Sequence, residues 1–185
     1  FHVLFGGLKG GLAIGTMFMM VAISAMNGLS VAGMAIGATI ALPEMLKRNY
    51  DKRMITGVVQ AGSSLGILIP PSVVMVLYGM IARQPVSKLW MAGILPGLLM
   101  ASLFLIYIYV RCKLQPELGP PLKKEEREVS TLEKIRLLKA GIIPFLIFFF
   151  MTGLFLMGIA SLVECSAVGA FLATLAAIYK RRFNK

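Results

Sequence analysis

Two clusters of small, oxygen-bearing residues are the chemically useful positions in this chain. The first is Asn27, Gly28 and Ser30 within the uncharged stretch Met26-Asn-Gly-Leu-Ser30. The second is Gly62, Ser63, Ser64 and Gly66, in a stretch that runs on to Pro70, Pro71 and Ser72. Neither carries a cation that would repel an ion, and both are small enough for backbones to approach closely. The chemistry open to them is coordination of a hard cation by carbonyl and side-chain oxygens. Alternatively, Ser63 and Ser64 simply bond back to carbonyls one turn earlier, the common fate of a membrane serine. Ser72 is carried as a candidate substrate contact. Glu164 is the one acid inside an apolar segment, with no His or Asp near it in sequence, and is read as satisfying backbone amides at a helix start near N1. His2 stands alone at the N-terminus, and Cys112 and Cys165 have no C-x-x-C spacing. General acid–base or nucleophilic chemistry needs partnered groups, so an enzyme is not expected.

The second cluster interrupts an apolar run of helical length. Residues 54–82 hold Gly62, Gly66, Pro70 and Pro71 in their middle. Each of these would cost a helix interior roughly 1–3 kcal/mol, and each proline removes a donor. Unwound backbone at membrane depth persists only where it is buried in protein or lines a polar cavity. Discontinuous helices of this kind build ion and substrate sites in secondary transporters.

Composition sets the class. Hydrophobic residues make up 58% and the mean hydropathy is +0.83, far from a soluble domain. The formal net charge of +11 comes from Lys and Arg at the ends of apolar runs, among them Lys47, Arg48, Lys52, Arg53, Arg111 and Lys113, with Lys180, Arg181, Arg182 and Lys185 at the end. That is the positive-inside pattern of a membrane protein, and nucleic acid is not an expected partner. With no initiator Met and no signal-peptide n-region, the chain reads as a piece of a longer protein.

Residues 10–26 and 31–42 are short apolar arms about the uncharged turn at Asn27–Ser30. They predict a re-entrant hairpin with Lys9 and Lys47 on one face, the cytoplasmic one; two ordinary spans joined by a short turn are the alternative. Pro43 suits the first turn of a separate short helix, 43–48. The reading divides the chain into 1–53 (hairpin and short interfacial helix), 54–82 (broken transmembrane helix), 83–112 (transmembrane helix kinked at Pro96-Gly97), 113–137 (cytoplasmic linker with an interfacial helix) and 138–185 (two further spans). Ser130-x-x-Glu133 has capping-box spacing for the linker helix. The G-x-x-x-G pairs 11/15, 33/37, 62/66 and 93/97 read as close helix packing, and the thirteen Met residues as adaptable packing.

Ile40-Ala-Leu-Pro-Glu-Met45, Arg48-Asn-Tyr-Asp51, Gly66-Ile-Leu-Ile-Pro-Pro-Ser72, Tyr78-Gly79, Leu89-Trp-Met-Ala-Gly-Ile-Leu-Pro-Gly97 and Glu164-Cys-Ser-Ala-Val-Gly169, in this order, resemble the large, DctM-like permease subunit of tripartite ATP-independent periplasmic (TRAP) transporters. The resemblance covers nearly the whole chain except the linker. It implies an all-α integral membrane protein: the first half and the start of the second half of an inverted-repeat, elevator-type transporter. It implies a multi-pass subunit in the prokaryotic inner membrane, importing an organic acid (carboxylate) with Na+ as coupling ion. An extracytoplasmic (DctP-like) binding protein would deliver the substrate, and a small (DctQ-like) membrane subunit would pair with this one. A channel-like or structural membrane subunit without coupled transport is the alternative. The sodium ion is then expected where the hairpin tip meets the broken span, on oxygens of Asn27, Gly28 or Ser30 and of Gly62, Ser63, Ser64 or Gly66. Two segments depart from the family's usual pattern: the tip lacks Ser-Gly-Ser-Ser, so that Asn27 or backbone oxygens replace hydroxyls, and Leu162-Val-Glu-Cys-Ser-Ala167 stands for a Thr-x-Thr-Glu-Ala-Ala-like segment.

Overall fold

Three helix ends fall on capping residues: Asp51 and Ser72 each accept from a first-turn amide, and Gly28 closes a helix in the left-handed conformation. The structure is a computed structural model that describes residues 8–121 and 145–179, and the chain divides into two units, Phe1–Val129 and Ser130–Lys185. In the first unit α1 (Gly11–Asn27) and α2 (Ser30–Lys47) form a helical hairpin. α3 (Lys52–Ser64) and α4 (Val73–Ala82) flank a break, and α5 (Val86–Leu114) follows. The second unit holds α6 (Phe145–Leu156) and α7 (Leu162–Tyr179). Every described element is helical.

Asp51 opens α3, its Oδ1 accepting from the amides of Arg53 (2.9 Å) and Met54 (3.3 Å). After Ser64 the chain tightens into a 3-10 turn, Leu65–Ile67, then passes through a cis Pro70–Pro71 bond before Ser72 caps α4. Helical geometry is therefore lost where the glycines and prolines cluster.

Two boundaries differ from those expected from the sequence. α2 continues through Pro43 to Lys47, so there is no separate helix 43–48. Pro43 forfeits one backbone donor, but Ala41 and Met45, one turn apart across it on one helix face, are both buried, which favours continuing the helix. Glu44 and Arg48 pair at 2.7 Å across the same last turn. α5 starts at Val86, shortening the expected loop, and runs through Pro96 and Gly97 without leaving the helix. The linker helix near Ser130–Glu133 and the last basic cluster lie outside the described residues.

The core of the first unit joins Leu12 and Met17 of α1, Met45 of α2, Ile55 of α3 and Cys112 of α5, all nearly inaccessible. Between helices of such apolarity, close packing through small residues does more than hydrophobic burial to hold helix on helix. The segment after α5 ties the base together: Gly10 N donates to Gly119 O (2.9 Å) and Asp51 N to Leu118 O (3.3 Å). Tyr50 is buried beside them, its hydroxyl close to the Leu12 and Ala13 backbone of α1 but, among the described residues, in hydrogen-bond geometry with none. Burial pushes its pKa up to about 12 against the pull of the Leu12 and Ala13 backbone. Among the described residues, α5 is the one helix long and apolar enough to cross a membrane.

Candidate functional site

The hairpin tip sits directly on the helix break. Gly28 caps α1 in the left-handed conformation (φ 65), its amide donating to Ser24 O at 2.8 Å. Its own carbonyl accepts from Val73 N, the first amide of α4, at 3.2 Å. A methyl group built on Gly28 would lie 2.6 Å from Pro71 O, so glycine is required both for its dihedral and for the close approach.

One turn below the tip, glycines let three segments converge on α1. A methyl on Gly62 would meet Met20 Cβ at 2.5 Å, one on Gly66 would meet Ser24 O at 2.8 Å, and one on Gly33 would fall on Ser24 Oγ. The G-x-x-x-G pairs 33/37 and 62/66 thus serve close packing. Gly93 and Gly97 of α5 do the same from the other side, seating Leu68 and Ile69 of the break.

Ser24 is the residue that sequence reasoning missed. It is fully buried, and its hydroxyl has no hydrogen-bond partner among the described residues. It lies against Gly33 and Gly66, while the Ser63 side chain also approaches Gly33. The available signal was its position four residues before Gly28, one helical turn beneath the tip.

The predicted residues take distinct places. Asn27 ends α1 on an exposed face, with Nδ2 donating to Ile23 O at 2.9 Å and Oδ1 left as an acceptor. Ser30 begins α2. Ser63 is buried and Ser64 exposed; their hydroxyls donate to Gln60 O (3.0 Å) and Ala61 O (2.8 Å), the back-bonded alternative, which leaves their lone pairs able to accept. Ser72 is fully buried as the cap of α4, Oγ accepting from Met75 N at 3.3 Å, while its carbonyl accepts from Trp90 Nε1 at 3.3 Å.

Four helix ends meet here: the carbonyl-bearing ends of α1 and α3 and the amide-bearing ends of α2 and α4. The former favour a cation and the latter an anion. Among the described residues no three His, Cys, Asp or Glu gather as a metal set.

In the second unit Glu164 is the third residue of α7 rather than its first. Its Oε2 accepts from Ser161 N (2.7 Å) and Ser161 Oγ (2.8 Å), and Glu164 N faces Ser161 Oγ at 3.4 Å. This is a capping box.

Comparison with known proteins gives a consistent picture. The family described as "Tripartite ATP-independent periplasmic transporter, DctM component" matches residues 1–184. The C4-dicarboxylate TRAP transporter large permease protein DctM of Pseudomonas aeruginosa is 30% identical over 177 residues, 96% of this chain and 40% of that protein. The 2,3-diketo-L-gulonate TRAP transporter large permease protein YiaN of Escherichia coli is 29% identical, over 94% of this chain and 40% of that protein. The ectoine/5-hydroxyectoine TRAP transporter large permease protein UehC of Ruegeria pomeroyi is 37% identical over 106 residues, 57% of this chain and 24% of that protein. The chain thus spans 40% of the length of the first two relatives. No solved structure matches the chain.

Proposed function

The chain belongs to the DctM component family of tripartite ATP-independent periplasmic transporters, large permeases that are integral to the membrane, and from that premise we propose that it forms part of a sodium-coupled importer of an organic acid. A binding protein outside the inner membrane delivers the substrate, and a small membrane subunit completes the permease. The hairpin of α1 and α2 is re-entrant, and with the broken pair α3–α4 it forms one half of an inverted repeat in a moving, elevator-type domain.

The observation that carries this reading is the junction of Gly28 with Pro71 and Val73, which gathers four helix ends at one place. Carbonyl ends with neutral oxygens suit sodium, and amide ends suit a carboxylate. The sodium ion sits on oxygens drawn from Asn27, Gly28 or Ser30 and from Gly62, Ser63, Ser64 or Gly66. The stranded Ser24 hydroxyl beside them supports a polar guest, since a buried hydroxyl without a partner costs about 1–3 kcal/mol. The relatives' names include a dicarboxylate, a sugar acid and ectoine, so acid substrates recur among them without one identity.

The test is uptake by proteoliposomes containing the full permease with its small subunit, with and without binding protein and a sodium gradient. Uptake requiring both is expected. Conduction without the binding protein would instead identify a channel.

A further inference from the structure

A cavity of about 710 Å³ lies between α3 and α5 of the first unit. Its walls are two helix faces. Met54, Gly57, Val58 and Ala61 follow the i, i+3, i+4, i+7 pattern on α3, and Leu103, Phe104, Tyr107 and Ile108 face them from α5. The seven helical steps from Met54 to Ala61 give the trough a length of about 10 Å. At one end the lining turns polar, with Arg53, Arg111, Gln115 and Asp51.

We propose that this trough is a binding site for an anionic glycerophospholipid, its phosphate held by Arg53 and Arg111 and an acyl chain lying along the apolar walls. The proposal rests on the chain's place in a membrane-integral family and is independent of ion coupling. Charge complementarity selects the occupant. Neither guanidinium has an ion pair among the described residues, and two free cations capping an apolar trough match a headgroup attached to a hydrocarbon tail. The Asp51 carboxylate faces the same end, but it is engaged by the first-turn amides of α3. The end in question is also where α5 carries Tyr107, Tyr109, Arg111 and Lys113, the residue types that anchor helices at headgroup level. Gly57 opens the wall, since a methyl built there meets nothing within 4 Å.

The experiment uses the full permease in nanodiscs of equal phosphatidylglycerol and phosphatidylcholine, with retained lipid counted by native mass spectrometry. One tightly held phosphatidylglycerol is expected. The Arg53→Gln/Arg111→Gln variant should lower its occupancy on the order of ten-fold. Gly57→Phe fills the trough with both charges intact and should abolish retention, which keeps the test decisive if the arginine variant folds poorly. Lys52→Gln/Lys113→Gln, at the same end but outside the trough, should retain the lipid. Equal loss in the lysine variant would mean general surface charge, and retention in Gly57→Phe would place the lipid elsewhere. A photocrosslinker at position 57 that attaches to polypeptide, with no lipid retained by the wild type, would show that a protein segment fills the trough. Each of these three results overturns the proposal.

Discussion

The Val73 amide donates to the Gly28 carbonyl across 3.2 Å, joining the tip of the α1–α2 hairpin to the first residue of α4. The bond ties the hairpin tip to the segment that follows the break. It also explains why the tip tolerates so little bulk: Pro71 O would lie 2.6 Å from any Cβ at position 28.

Gly28→Ala should therefore abolish uptake and lower thermal stability, because it combines a positive φ with a backbone collision. The dihedral alone costs about 1–2 kcal/mol. Gly57→Ala is the matched control, with open space about its Cβ, and should be neutral or stabilising by up to about 1 kcal/mol. Uptake and thermal unfolding of the two purified permeases would check the contrast.

Ser24→Ala should leave stability unchanged or raised, since it removes a stranded hydroxyl, yet weaken sodium dependence. The Ser63→Ala/Ser64→Ala pair should weaken sodium affinity only moderately, because carbonyls carry much of the coordination. Gly66→Val, whose Cβ would press on Ser24, should stop transport. Sodium titrations of uptake separate these cases: unchanged dependence in both serine variants with a tolerated Gly66→Val would place the ion elsewhere.

Cysteines placed singly at Leu29, Lys9 and Lys47 should report the topology. With a re-entrant hairpin, position 29 is shielded from reagents in the periplasm, and positions 9 and 47 label from the same side. Labelling of 9 and 47 from opposite sides would make α1 and α2 ordinary spans.

Glu164→Gln keeps an acceptor for the Ser161 amide and loses only the charge at the helix start, so it should lower the melting temperature slightly, while Ser161→Ala removes the hydroxyl half of the reciprocal cap and should lower it more. Sodium-coupled uptake should survive both. A Gln variant that melts normally but loses coupling would give Glu164 a part in transport.

Tyr50 predicts an alkaline limb in stability. Its folded pKa, about 12, lies above the ordinary tyrosine value of 10.0, so the unfolded chain releases its proton first. The stabilisation is complete below pH 10 and is lost as pH rises toward about 12, on the order of 2 kcal/mol in all. Unfolding temperatures of wild type and Tyr50→Phe between pH 9 and 11 should diverge, with the Phe variant the flatter (roughly one titrating group fewer).

Apolar runs, charge at their ends and helix-breaking residues are local properties, so the sequence by itself determined the all-helical membrane class, the hairpin arms and the break beyond Ser64. The family motifs were legible for the same reason, being contiguous. Propensity misled at Pro43, where the burial of Ala41 and Met45 outweighs one lost hydrogen bond and carries α2 onward. What only the tertiary structure decided was juxtaposition. That Gly28 meets Pro71, that Ser24 is stranded between Gly33 and Gly66, and that Arg53 and Arg111 share one trough all depend on how separate helices cross. Spacing along a chain sets which face a residue occupies, but the partner of that face is chosen by packing among elements distant in sequence.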